Sequence, residues 1–242
     1  MTYLGHATTL IELDGVRLLT DPVLRRRMAH LVRVGPEPSD PGPLDAVLVS
    51  HGHLDHLDMP SLRRLPRETH VVCPRGLGRV FASGGFGRVT ELGEGETVEV
   101  GAVTVRATPA EHGGGKPLPG RPQVAVGYAV TGTASVYFAG DTDLFQAMDG
   151  LVPSLDLALV PIWGWGPTIG PGHLNPERAA QALALLRPRL AVPIHWGTYR
   201  PLYYSAKAEF LHQPVGQFVA TAARLAPEVG VRVLSRGEAV EL

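Results

Sequence analysis

Apolar residues recur along this chain in short runs, broken at Gly, Pro and Asp. That is the pattern of a strand-rich fold with few helices. Residues 3–4, 8–11 and Val16–Thr20 predict strands. Asp14-Gly15 between the last two is a hairpin turn signal, and Pro22 ends the second arm. Residues 46–49 form an uninterrupted apolar run that predicts a buried strand, with a short helix near 60–65. A strand at 70–73 and a short helix at 77–82 follow. Val89–Leu92, Thr97–Val100 and residues 103–108 predict a β meander turning at Gly93, Gly95 and Gly101. Further strands are expected at 124–130, 136–139, Leu157–Pro161 and Leu190–Ile194. Residues 176–187 predict the best-formed helix, with Asn175 as N-cap and Pro176 at the first helical position. A helical segment at 218–226 and a last strand at 231–234 complete the pattern.

Two stretches fit no period. Residues 23–44 hold Arg25-Arg26-Arg27 and four prolines, and read either as a solvated basic loop or as a flap over a site. Residues 111–123 are rich in Gly and Pro, and Gly113-Gly114-Gly115 within them would permit a mobile lid. No internal repeat or linker interrupts the chain, so residues 1–242 are expected to form one domain.

Composition narrows the class. The chain is 44% hydrophobic and 19% charged with net charge −1, so no nucleic acid partner is expected. Cys73 is the sole cysteine, which excludes an internal disulfide. No apolar run approaches the ~20 residues of a transmembrane segment, and the N-terminus lacks the order of a signal peptide. The expected location is therefore cytoplasmic. A homo-oligomer stays open.

The chemistry is concentrated in Ser50-His51-Gly52-His53-Leu54-Asp55-His56, directly after the buried run 46–49. His51, Asp141 and His195 each follow a hydrophobic strand closely, and His112 follows the strand at 103–108 by a few residues. Residues at the carboxyl ends of neighbouring strands can converge on one rim. Imidazole and carboxylate are zinc ligands at about 2.0–2.2 Å. His51 and His53 can aim at one ion, completed by His112. Asp55 and His56 can aim at a second, completed by His195. Asp141 has two oxygens and can bridge them. Such a pair of divalent ions, zinc first with Mn2+ or Fe as alternatives, would lie roughly 3.5–4 Å apart. A metal-bound hydroxide is then the expected nucleophile near neutral pH.

His51 to His56 resemble the signature of the metallo-β-lactamase-fold hydrolases. Gly5-His6-Ala7-Thr8, Thr20-Asp21-Pro22, Gly140-Asp141-Thr142, His173-Leu174-Asn175-Pro176-Glu177 and Ile194-His195-Trp196-Gly197-Thr198 look like its branch containing N-acylphosphatidylethanolamine-hydrolysing phospholipase D and ascorbate-6-phosphate lactonase. The resemblance implies an α+β fold, a four-layer αββα sandwich, with a dinuclear site between the sheets. It implies the same distribution of the seven ligands. It also places His173 beside the substrate, just before a helix N-terminus that favours anions. Asp55 is expected to handle a proton and His173 to orient or protonate the substrate.

The expected activity is hydrolysis of a small-molecule or lipid-like ester, with a phosphodiester leading and a lactone or other carboxylic ester as alternative. A non-catalytic or redox metal protein on the same fold, with iron, is the rival of another class. Around the ligands, Asp21 reads either as a hydrogen-bond acceptor for a metal-bound histidine or as a plain Asp-Pro turn. His6 is a weaker candidate for the same support. Leu54 sits within the ligand turn. Trp163, Trp165 and Trp196 read either as walls of an apolar pocket or as core. His30, His70 and His212 lack company and read as structural or surface residues.

Overall fold

The computed structural model describes residues 1–113 and 124–242. Its strands are β1 (Thr2–Gly5), β2 (Thr8–Leu13), β3 (Val16–Thr20), β4 (Arg27–Met28), β5 (Leu31–Arg33), β6 (Ala46–Leu48), β7 (His70–Pro74) and β8 (Val89–Leu92). They continue as β9 (Thr97–Val100), β10 (Val103–Pro109), β11 (Val126–Thr131), β12 (Ser135–Phe138), β13 (Leu157–Pro161), β14 (Leu190–Ile194), β15 (Tyr199–Pro201) and β16 (Gly230–Val231). The helices are α1 (Met59–Leu62), α2 (Gly78–Ser83), α3 (Pro176–Leu186) and α4 (Gln213–Leu225).

Two mixed sheets carry the fold. The first runs β1-β2-β3-β6-β7-β8 and the second β16-β14-β13-β12-β11-β10-β9. In the first, β3, β6, β7 and β8 are mutually parallel. In the second, β12, β13, β14 and β16 are parallel, and β9 to β12 are antiparallel.

Strand alternation sorts the side chains into layers. Leu18, Leu48, Tyr128, Phe138 and Val192 fill the space between the sheets. Their neighbours Leu19 and Val47 face outward onto Leu62, Leu77 and Phe81 of the α1/α2 side. Ala129 and Tyr137 face outward onto Leu183 and Phe218 of α3 and α4. The result is the expected αββα sandwich. The central strands read as unbroken apolar runs because both their faces are covered.

α3 forms where expected. The Asn175 side chain accepts from the N–H of Arg178 at 2.9 Å, and Pro176 occupies the first turn, where its missing N–H costs nothing. Asp14 and Gly15 both take positive φ in the β2–β3 hairpin, as an Asp-Gly turn requires.

Three expectations need correction. Residues 89–108 are not one meander, because β8 pairs parallel to β7 in the first sheet while β9 and β10 form a hairpin in the second. The last strand is shorter than expected, since only Gly230–Val231 pairs, and Leu234 instead enters the layer between the sheets. Residues 23–44 are not simply a solvated loop. Val23, Leu24, Met28 and Leu31 are buried, and β4 and β5 join β15 in a small third sheet. Two- and three-residue strands are too short to show a period, and their partner lies more than a hundred positions away. The lid expected around Gly114 and Gly115 lies outside the described residues.

Candidate metal centre

The rim where the parallel strands end gathers the cluster. β6 delivers His51, β12 delivers Asp141, β14 delivers His195, and β10 leads to His112. Gly140 makes the convergence possible. It sits at φ +61°, and a Cβ there would lie 2.6 Å from Cβ of Ser50 and 3.2 Å from the Val126 carbonyl oxygen. His6, Asp21 and His195 hold positive φ of 57°, 32° and 61°. Non-glycine residues persist there only when surrounding structure overdetermines them, a pattern concentrated at functional sites.

Two donor groups lie side by side. Nε2 of His51 is 3.0 Å from Nδ1 of His53, and Nε2 of His112 is 3.1 Å from the same atom. Bonds of 2.0–2.1 Å in tetrahedral array give ligand–ligand edges of roughly 3.3 Å, so this spacing suits one ion. Nε2 of His56 lies 2.9 Å from Nε2 of His195 and 3.1 Å from Oδ2 of Asp141. His195 Nε2 is 3.4 Å from both Asp141 Oδ1 and Asp55 Oδ2. Oδ1 of Asp141 is buried and accepts no hydrogen bond. An orphaned carboxylate oxygen facing imidazole lone pairs is costly unless a cation joins them. Both groups therefore fit a divalent metal.

The outward nitrogens of four of these rings, His51, His56, His112 and His195, are engaged. Nδ1 of His112 donates to the Gly172 carbonyl at 2.8 Å, and Nδ1 of His195 to the Trp163 carbonyl at 2.9 Å. Nδ1 of His51 is 3.0 Å from Oγ of Ser50, which donates to Oδ2 of Asp21 at 2.5 Å. Nδ1 of His56 donates to the same carboxylate oxygen at 2.6 Å. Each contact holds the proton on the far nitrogen and turns the Nε2 lone pair inward. Asp21 thus serves both histidines, and Ser50 is a participant that sequence reasoning missed. Its place next to His51 was the available signal.

His6 is buried, and its Nε2 stands 3.0 Å from Oδ2 of Asp55. Burial, aided by the charge of His195, drives its pKa down to about 3, so it is a neutral partner to that carboxylate. Burial opposes ionisation of Asp55 and Asp141, but the surrounding imidazoles overcome it and hold both well below the usual carboxylate range. His173 stands at the edge, with Nε2 3.4 Å from Asp141 Oδ2 and Nδ1 3.1 Å from the Pro171 carbonyl. Burial lowers its pKa, yet the Asp141 contact and charge prevail and push it up to about 9.

A cavity of about 440 Å³ opens onto this cluster. His53, Asp55, Asp141, His173 and His195 line its floor, and Met28, Leu31, Leu54, Trp165 and Ile169 its walls. Among the described residues no Lys or Arg lines it. His30, which the sequence left without a role, stands at the wall with its ring edge-on to Trp165 at 5.2 Å. Met28, His30 and Leu31 come from the aperiodic stretch, so no local signal marked them. The tryptophans divide. Trp165 forms the wall, and Trp163 contributes its backbone carbonyl while its Nε1 donates to Gly166. Trp196 does not line this cavity. Its Nε1 donates to the Pro193 carbonyl, and its ring packs with the α3/α4 layer. His70 and His212 lie apart, on Thr90 and on the Ala206 carbonyl.

Comparison with known proteins bears on this geometry. The family described as "Beta-lactamase superfamily domain" matches residues 16–196. N-acyl-phosphatidylethanolamine-hydrolyzing phospholipase D 1 of Caenorhabditis elegans is 34% identical over 226 residues, covering 82% of this chain. The match covers 64% of that protein, so this chain spans less than two thirds of its length. A UPF0173 metal-dependent hydrolase of Methanopyrus kandleri is 35% identical over 259 residues, covering 100% of this chain and 99% of its own. Among solved structures, Igni18, a metallo hydrolase from Ignicoccus hospitalis, superposes with a TM-score of 0.75 at 25% identity, covering 99% of this chain and 96% of that one.

Proposed function

This chain belongs to the beta-lactamase superfamily, and from that premise we propose that it is a dinuclear-metal-dependent hydrolase of a phosphodiester with an apolar limb. The observation that carries the reading is the paired donor set, with the buried, unpartnered Oδ1 of Asp141 3.4 Å from Nε2 of His195 in one of its halves. His51, His53 and His112 would hold one ion. Asp55, His56 and His195 would hold the other, and Asp141 would bridge. Two divalent ions so held supply Lewis acidity and a water activated near neutral pH.

The chain's own residues do the rest. Asp21, Ser50 and the carbonyls of Gly172 and Trp163 keep the imidazoles in the required tautomer. Asp55, half-buried and ionised beside His6, accepts a proton from the attacking water. His173, at the boundary of cluster and cavity, donates a proton to the leaving oxygen or holds a substrate oxygen through Nε2. Met28, Leu31, Leu54, Trp165 and Ile169 exclude water and pack an uncharged limb of the substrate. The name of the worm relative, a phospholipase, accords with such a lipid-like ester.

The test is metal analysis of the purified protein together with a substrate panel: bis(p-nitrophenyl) phosphate, phosphatidyl esters, lactones and thioesters. About two ions per chain and turnover of phosphodiesters are expected. Faster turnover of lactones would move the substrate class to carboxylic esters. Two bound ions with no turnover of any ester would overturn the hydrolase reading. Trp165→Ala should raise KM for substrates with a long apolar limb and leave bis(p-nitrophenyl) phosphate less affected.

A further inference from the structure

A second cavity, of about 230 Å³, lies outside the one that opens onto the cluster, and Tyr3, Trp196, Thr198, Leu211, Ser235 and Arg236 are among its lining residues. Among the described residues no Asp or Glu lines it. Arg236 projects there with Nη1 on the Gly197 carbonyl at 3.1 Å, and among the described residues it has no carboxylate partner. Beside it runs Arg33, only 3% exposed. All the Arg33 contacts are neutral: the carbonyls of Pro36, Val23 and Leu4, and the hydroxyl of Tyr199.

The Arg33 guanidinium and the stem of Arg236 approach each other at Gly5, and the Arg236 guanidinium reaches on to Gly35. A Cβ there would lie 2.6 Å from Nη2 of Arg33 and 3.1 Å from both Cδ of Arg236 and Cγ2 of Thr198. Gly5 also holds φ +111°, so no larger residue could occupy the gap without strain. Desolvation lowers the pKa of Arg236, and the charge of Arg33 adds to that. Arg33, buried on neutral partners alone, carries a charge that no acid offsets, and that costs free energy. Tyr3 lies at the same place. Its hydroxyl is buried, and its contact with Oγ1 of Thr198 is long, at 3.5 Å.

From this arrangement we infer that the cavity is a binding site for a small oxyanion, a phosphate or a carboxylate, held by Arg236 with Tyr3, while the N–H of Ser235 stays with the Glu238 carboxylate at 2.9 Å. An Arg fork matches either group in bidentate fashion, and a hydroxyl donor adds a third contact. The site is separate from the metal cluster. It shares a wall with it, because Gly197 and Thr198 follow His195 and Oγ1 of Thr198 accepts the backbone N–H of His6 at 2.8 Å. The inference does not depend on the substrate of the metal centre.

The test is calorimetric titration of the metal-loaded protein with sodium phosphate and, separately, sodium acetate, at constant ionic strength. Phosphate also ligates divalent ions, so the readout is the difference between variants of equal metal content. Arg236→Gln should weaken saturable binding at least tenfold. Tyr3→Phe should weaken it less, and Arg236→Lys should fall between wild type and Arg236→Gln. Arg232→Gln, an exposed neighbouring charge, should bind as wild type does. Tighter phosphate than acetate would assign the site to tetrahedral anions, and the reverse to carboxylates. Unchanged binding in Arg236→Gln would overturn the inference. So would an equal loss in Arg232→Gln, or loss of metal alongside loss of phosphate.

Discussion

Nδ1 of His56 and Oδ2 of Asp21 stand 2.6 Å apart, with both side chains fully removed from solvent. The same carboxylate takes the hydroxyl of Ser50 at 2.5 Å and, through its other oxygen, the Ser50 N–H at 2.7 Å. Asp21 is therefore the support on which one histidine of each donor group rests, His56 directly and His51 through Ser50. Asp21→Asn keeps the volume and removes the charge. It should lower metal affinity about 10–100-fold, the usual cost of losing such a partner, with the circular dichroism spectrum unchanged. Competition with a chromogenic chelator measures this.

His53 contributes the nitrogen that stands near both His51 and His112. His53→Ala should reduce the metal content from about two ions to about one and abolish nearly all turnover, while the chain stays folded. Elemental analysis beside a thermal melt separates loss of metal from loss of fold. Chelation of wild-type protein should lower its melting temperature, because ions that bind only the folded chain stabilise it.

His173 tests the boundary between ligand and catalyst. Its Nε2 approaches Asp141, yet its ring lies at the edge of the cluster and lines the substrate cavity. His173→Ala should retain both ions and lose roughly 10²-fold or more in kcat, as befits a proton donor. If metal content falls instead, His173 belongs among the ligands.

Cys73 lies in β7, fully buried between Val47, Val71 and the helices of the first layer. Burial pushes its thiol up to about 12, so the reactive thiolate is scarce at pH 8. The native protein should leave a disulfide reagent such as Ellman's unreacted over an hour. One thiol per chain should appear on addition of denaturant. Prompt native reactivity would mean that the α1/α2 layer opens readily.

The chain alone determined a good deal. The ligand turn from His51 to His56 could be read because its donors are contiguous and follow a strand with both faces covered, a signal complete within ten residues. Asn175-Pro176 announced α3, and Asp14-Gly15 the hairpin, because capping and turn chemistry are local. Which sheet β8 joins, and that Met28, His30 and Leu31 wall the cavity with Trp165, were decided only in three dimensions. The pairing of β5 with β15 brings together Arg33 and Tyr199, which no local period connects. The same holds for the roles of the tryptophans. Trp165 and Trp196 look alike along the chain, but the turn after β13 aims one into the cavity and the turn after β14 packs the other against α3 and α4. Short-range hydrogen bonding and hydrophobic period are written residue by residue. The convergence of distant strand ends depends on how the two sheets close over their shared core.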